Sequence, residues 1–172
     1  MSTADWPVPL DAGQTARLEA ALAAVDLVRA VATSTRPTEA LEEDVSLAIP
    51  ADVGAELIEG LLSELPVQSA EFAAAIQRIA GGAGTMVDLQ SAKRAAHTLK
   101  GAANTVGVKG IASLTHCLED ILIALTRFGA LPTGELSALL STASDCLEAM
   151  SEAVLGVSPP PPDARRVLQQ VL

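Results

Sequence analysis

Aromatic side chains are nearly missing from this chain of 172 residues, which has one tryptophan, two phenylalanines and no tyrosine. Hydrophobic residues nevertheless make up 49% of the sequence, and alanine and leucine dominate them. Both are strong helix formers, and no segment shows the alternating apolar and polar residues of a strand. The composition therefore predicts an all-α protein with an aliphatic core.

Basic residues are also scarce. There are 11 Lys and Arg against 21 Asp and Glu, so the net charge is −10. Such a surface is poorly suited to displacing the counterions of a nucleic acid or to binding an anionic membrane. No apolar run approaches the roughly 20 residues needed to cross a bilayer, and the N-terminus does not resemble a signal peptide. We expect a cytoplasmic protein that binds neither nucleic acid nor membrane.

Cysteines are too few and too far apart for a disulfide framework, since Cys117 and Cys146 have no CxxC spacing. A metal site could combine His97, His116, Cys117 and Glu119. However, His116 and Cys117 are adjacent and would point about 100° apart on a helix, which does not suit a tetrahedral metal. We therefore expect no metal.

Helical periodicity and proline content divide the chain into three parts. Residues 1–49 hold an irregular leader, an amphipathic helix over 15–32 and a short helix over 38–47, which we expect to form an extra layer or a docking element. Residues 50–157 carry the main helices. Residues 158–172 begin with the polyproline spacer SPPPP and continue into DARRVLQQVL. We expect this last part to be a linker and the start of a following segment of a longer protein.

Prolines and glycines set the expected limits of the first main helices. Pro50 opens a helix, and Pro66 stops or kinks it. The next helix begins at Ser69, and the glycine-rich segment 81–84 ends it.

Three further helices are expected after this turn. Asp88 caps the first of them, which ends near Val106, and the others reach about Arg127 and Leu155. Because the links are short, the four helices between about 69 and 155 predict an up-down antiparallel four-helix bundle, with the earlier helices added to it.

The segment AAHTLKGAANTVG, residues 95–107, combines a histidine with positive charge. On a helix, His97 falls on the polar face. Residues 90–115 contain no acidic side chain, although the chain as a whole is acidic. A cation cluster around a neutral imidazole suits an arriving anion such as a phosphoryl group. The cations are Lys93, Arg94, Lys100 and Lys109.

Gly101 lies one turn from His97 and costs about 1 kcal/mol relative to alanine in a helix interior. Its missing side chain would let a large partner approach the imidazole. A plain structural bundle leaves both this glycine and the basic patch unexplained.

The following helix adds His116 and Glu119, which flank its apolar stripe. Glu119 could accept a hydrogen bond from Nδ1–H of His97, which would fix the tautomer and leave Nε2 as a nucleophile. Lys100 would then offset the charge of a phosphoryl group. The alternatives are a surface histidine and an ordinary solvated carboxylate.

Together, HTLKGAANTVG and LTHCLEDIL resemble the histidine-phosphotransfer domains, especially those at the front of chemotaxis-type histidine kinases. The resemblance implies that His97 is phosphorylated, that Glu119 orients it and that Lys100 and His116 assist. The sequence departs from the family at Val106, a position where an aromatic residue is common. The expected docking surface consists of Lys93, Arg94, Gly101 and Asn104.

The same resemblance implies the partners. His97 would take a phosphoryl group from ATP through a separate kinase catalytic domain and pass it to an aspartate of a response-regulator receiver domain. The segment GGAGT lacks the GK[ST] ending of a phosphate-binding loop. We therefore expect no tightly bound cofactor, with ATP and Mg²⁺ used by the partner domains. The alternative is a bundle that only docks signalling partners and carries no phosphate.

Overall fold

The computed structural model describes residues 39–172, so the helix expected over 15–32 lies outside the described residues. The described part contains helices and no strand, which confirms the all-α prediction. A 3₁₀ helix at Glu42–Val45 comes first. The α-helices that follow are α1 (Ala55–Ala80), α2 (Met86–Val106), α3 (Lys109–Phe128), α4 (Gly134–Val154) and α5 (Ala164–Val171).

Helices α1 to α4 form the expected bundle. Helix α2 packs between α1 and α3, and α4 packs on the other side of α1. Links of a few residues make each helix antiparallel to the one before it. In the described residues the core is mostly aliphatic, as the composition predicts, and Phe72 is its aromatic side chain. Its largest fully buried side chains include Leu65, Phe72, Leu89, Leu99, Leu118 and Leu147.

Helix α1 differs from the expectation of two segments around Pro66. It runs unbroken from Ala55 to Ala80 with Pro66 inside it, so the separate helix from Ser69 is wrong, and Pro50 lies before the helix start. A proline in a helix interior costs about 3 kcal/mol. Buried residues on both sides of it, such as Leu65 and Phe72, keep one continuous face against the core. Tertiary packing therefore outweighs the local cost.

The start of α2 also corrects the sequence analysis, because Thr85 and not Asp88 is the N-cap. The Asp88 amide donates to Thr85 Oγ1 at 3.4 Å. In return, the Thr85 amide donates to Asp88 Oδ2 at 2.9 Å. Arg78 of α1 donates to Asp88 Oδ1 at 2.6 Å. The hydrogen bonds from Arg78 and Thr85 lower the pKa of Asp88 to about 2.

The short helix expected over 38–47 is, in its described part, only the 3₁₀ helix. The chain after it passes very close to the start of α3. The Gly110 amide donates to the Ser46 carbonyl at 2.8 Å. A Cβ atom on Gly110 would lie 2.7 Å from the Val45 carbonyl oxygen, so this approach requires glycine.

The C-terminal segment differs from the expected linker. Helix α5 packs against α3, α4 and the 3₁₀ helix. Its apolar side is buried in the common core, so this amphipathic segment gains its helix by packing on the bundle. The buried residues are Ala164, Val167, Leu168 and Val171. Among residues 39–172, no helix is both long enough and apolar enough to span a membrane.

Candidate functional site

His97 lies in the middle of α2 with its ring facing outward. Its side chain is 71% exposed. The residues beside it, Ala96 and Leu99, are fully buried in the core. The backbone that carries the imidazole is therefore held by packing, while the ring itself stays accessible.

Glu119 of α3 binds the imidazole from the side of the bundle. The distance between Nδ1 of His97 and Oε1 of Glu119 is 2.7 Å. The Glu119 side chain is only 8% exposed. An ionised carboxylate can only accept hydrogen bonds, so Nδ1 carries a proton and is the donor of this hydrogen bond. In the neutral ring this leaves the lone pair on Nε2.

Lys100 binds the second oxygen of the same carboxylate. Its Nζ donates to Oε2 of Glu119, and its side chain is 25% exposed. Burial raises the pKa of Glu119, but the hydrogen bonds and charges of Lys100 and His97 outweigh it, so the pKa is lowered overall. The carboxylate is therefore ionised near neutral pH. The sequence reasoning assigned Lys100 to the phosphoryl group and missed its contact with Glu119, although i, i+3 spacing from His97 places it on the same face.

His116, the second histidine expected at the site, lies on α3 next to Asp120. Its Nε2 is 4.0 Å from Oδ2 of Asp120, and its side chain is 56% exposed. Asp120 did not figure in the sequence reasoning. The signal was available, because residues four apart on a helix are neighbours.

The expected docking surface follows the same side of α2 as His97. Arg94, Gly101 and Asn104 are exposed, and Lys93 is partly exposed. A Cβ atom on Gly101 would meet nothing within 4 Å. Packing within the described structure therefore does not require glycine at this position.

The metal alternative finds no geometric support in the described part of the chain. Residues 39–172 contain no cluster of three or more His, Cys, Asp or Glu side chains that could hold a metal ion. Cys117, which that alternative needed, is buried.

Comparison with known proteins gives the class of this domain. Residues 56–136 match the family model described as Hpt domain. This match confirms the resemblance drawn from the two motifs: residues 56–136 are similar to histidine-phosphotransfer domains.

Two curated chemotaxis proteins are similar to part of the chain. The chain is 39% identical over 66 residues to the chemotaxis protein CheA of Treponema pallidum (strain Nichols), a match that covers 38% of this chain and 8% of that protein. It is 40% identical over 62 residues to the chemotaxis protein CheA of Bacillus subtilis (strain 168), covering 36% of this chain and 9% of that protein. The aligned part is thus less than a tenth of either relative.

Proposed function

We propose that His97 is a phosphoryl carrier between a histidine kinase catalytic domain and the receiver domain of a response regulator. The observation that carries the proposal is the 2.7 Å contact between Nδ1 of a largely exposed His97 and the buried Glu119 carboxylate. It leaves Nε2 as the basic nitrogen of an accessible ring, which is the arrangement a nucleophilic imidazole needs.

In the loading step, Nε2 of His97 attacks the γ-phosphorus of ATP. The N–P bond forms as the bond from this phosphorus to the bridging oxygen of ADP breaks, and ADP leaves. The proton on Nδ1 stays in place, so the ring becomes a phosphorylated imidazolium. Glu119 offsets this positive charge and holds the ring orientation, while Lys100 keeps the carboxylate ionised and in position.

In the unloading step, a carboxylate oxygen of the receiver aspartate attacks the same phosphorus. The N–P bond breaks, and its electron pair returns to Nε2. His97 is then again a neutral imidazole with Nδ1 bound to Glu119. His116 and the positive residues Lys93 and Arg94 would assist by attracting the phosphoryl group.

ATP and Mg²⁺ belong to the partner domains in this proposal. Residues 81–85 lack the lysine of a phosphate-binding loop. The site itself consists of the His97 ring and Lys100 on α2 and the Glu119 carboxylate on α3. A cytoplasmic location accompanies the proposal because ATP is the phosphoryl source.

The test is phosphorylation in trans by a chemotaxis kinase catalytic core with ATP and Mg²⁺. Intact mass is measured for the wild type, His97→Gln and His116→Gln. The proposal expects one acid-labile phosphoryl group on the wild type and on His116→Gln, where loading is slower. It expects none on His97→Gln, and loss of the label when a receiver domain is added. A label that persists on His97→Gln would refute the assignment. Absence of label with several active kinase cores, together with binding to them, would favour the docking-only bundle.

A further inference from the structure

The chain that follows α4 turns back and covers one side of the bundle. Pro159–Pro162 lead into α5, whose buried face contains Val167, Leu168 and Val171. On its other side Arg165, Arg166 and Gln170 are exposed. This segment is therefore attached to the bundle by one narrow apolar strip.

The two segments that flank the matched region also bind each other. The Ala40 amide donates to Oε1 of Gln169 at 2.8 Å. Arg165 Nε lies 2.9 Å from Oε1 of Glu42. All four residues lie outside residues 56–136, the part that matches the family model. The packed unit is thus larger than that match, and its added part is held by a few side chains.

Helix α5 has 8 residues. Isolated helices shorter than about 12–15 residues are marginal in water, so α5 depends on its contacts with α3 and α4. Detachment and loss of the helix are then one event. The contacts of α5 are with α3, α4 and the 3₁₀ helix and not with α2.

We infer that residues 160–172 form a detachable strap, which packs on the bundle in one state and unfolds locally in another while the His97–Glu119 site stays in place. Local opening of a weakly anchored segment below the free energy of global unfolding is common in proteins. When it is detached and extended, the strap spans about 40 Å. The device therefore changes how far the chain beyond α4 reaches from the bundle, and it is independent of the phosphotransfer proposed above.

Cys146 of α4 provides a natural probe of the strap. It is 5% exposed. Burial raises the pKa of its thiol to about 11, the charge of Asp163 adds to this, and Arg166 partly opposes it. Asp163 and Arg166 both belong to the strap, so the strap lies close to the thiol. Detachment would expose the thiol and return its pKa toward the ordinary value, and both changes speed alkylation.

The experiment compares Val167→Asp with Gln170→Asp in the full chain. Val167 is fully buried, whereas Gln170 is exposed, so the two variants add the same charge in different places. Alkylation by iodoacetamide is followed at Cys146 by peptide mass. We expect Val167→Asp to raise the rate at Cys146 about 100-fold while the amides of α2 keep their protection against exchange, and Gln170→Asp to react at the wild-type rate.

Amide hydrogen exchange of the wild type is the second measurement, and it does not depend on the variants folding. The strap predicts that the amides of 164–171 exchange faster than those of the α2 core. Equal protection of α5 and α2 in the wild type, or an unchanged alkylation rate of Cys146 in Val167→Asp, would overturn the inference and make α5 an inseparable part of the bundle.

Discussion

At the scale of single residues, a buried carboxylate controls an exposed imidazole. Glu119 accepts from His97 through one oxygen and from Lys100 through the other. Charge-assisted hydrogen bonds of this kind are roughly twice as strong as neutral ones. Both the orientation of the ring and the charge on the carboxylate should therefore matter for phosphorylation.

Replacing Glu119 by glutamine keeps the size of the side chain and an acceptor oxygen but removes the charge. We expect Glu119→Gln to lower the rate of phosphorylation by about 10-fold, because the imidazolium formed in the transition state loses its counter-charge. The measurement is the initial rate of labelling by a kinase core. The matched control is Glu148→Gln, which makes the same substitution at an exposed position on α4. Equal rates for the two variants would remove Glu119 from the mechanism.

The lowered pKa of Glu119 also gives a dependence on pH. Its folded-state pKa lies below the ordinary value of 4.5, so the ionised form stabilises the fold. This contribution is fully present above pH 4.5 and is lost as the pH falls through the folded-state pKa. Urea unfolding of the wild type and Glu119→Gln should show a stability difference at neutral pH that shrinks in acid. A difference independent of pH would mean that the carboxylate charge is not responsible.

A substitution at Gly101 should change protein stability and phosphoryl exchange in opposite directions. Nothing lies within 4 Å of a Cβ atom added there. Gly101→Ala should therefore raise the free energy of unfolding by about 1 kcal/mol through helix propensity and also slow phosphoryl exchange with partners. Chemical denaturation and labelling rates measure the two effects. Gly60→Ala, at another open and exposed position inside a helix, should give the same gain in stability. An unchanged exchange rate in Gly101→Ala would show that partners do not approach over this position.

At the scale of helices, periodicity was sufficient for α2, α3 and α4 because each has one apolar stripe and a glycine at or near its end. It also placed His97 and Glu119 where their helices could bring them together. Pro66 misled the same reasoning. A local rule ends the helix there, whereas the buried residues on both sides, which come together only in the folded bundle, keep α1 continuous.

The start of α3 depends on a close approach that sequence alone did not reveal. The absent Cβ of Gly110 makes room for the Val45 carbonyl. Gly110→Ala should lower the free energy of unfolding by about 1–3 kcal/mol, because a backbone carbonyl must move. Urea denaturation against the Gly60→Ala variant measures this. Equal or greater stability of Gly110→Ala would mean that residues 45–46 do not approach α3 this closely.

At the scale of the whole molecule, the packed unit extends beyond the four-helix bundle. The sequence predicts a linker and the start of a following segment at residues 158–172, because a proline run followed by a short amphipathic segment is typical of a linker. The helix of α5 depends on contacts with α3, α4 and the 3₁₀ helix, which are distant in sequence. The hydrophobic periodicity of this segment does not reveal such contacts with residues that are distant in sequence.

Charge is also unevenly distributed over the molecule. The chain has a net charge of −10, yet residues 90–115 contain no acidic side chain. Glu119 brings a negative charge from α3, which Lys100 and His97 already bind. Glu56 and Glu64 of α1 line the groove beside Thr98. The segment around His97 is thus locally positive within an acidic chain, which suits an arriving phosphoryl group.

The most direct test of this account is to identify the nitrogen that carries the phosphoryl group. The chain is labelled with ¹⁵N, phosphorylated by a kinase core with ATP and Mg²⁺, and examined by NMR for coupling between ³¹P and the imidazole nitrogens. The account predicts a single phosphoryl group on Nε2 of His97, with Nδ1 still protonated toward Glu119. A phosphoryl group on Nδ1, on His116 or on any other side chain would contradict it.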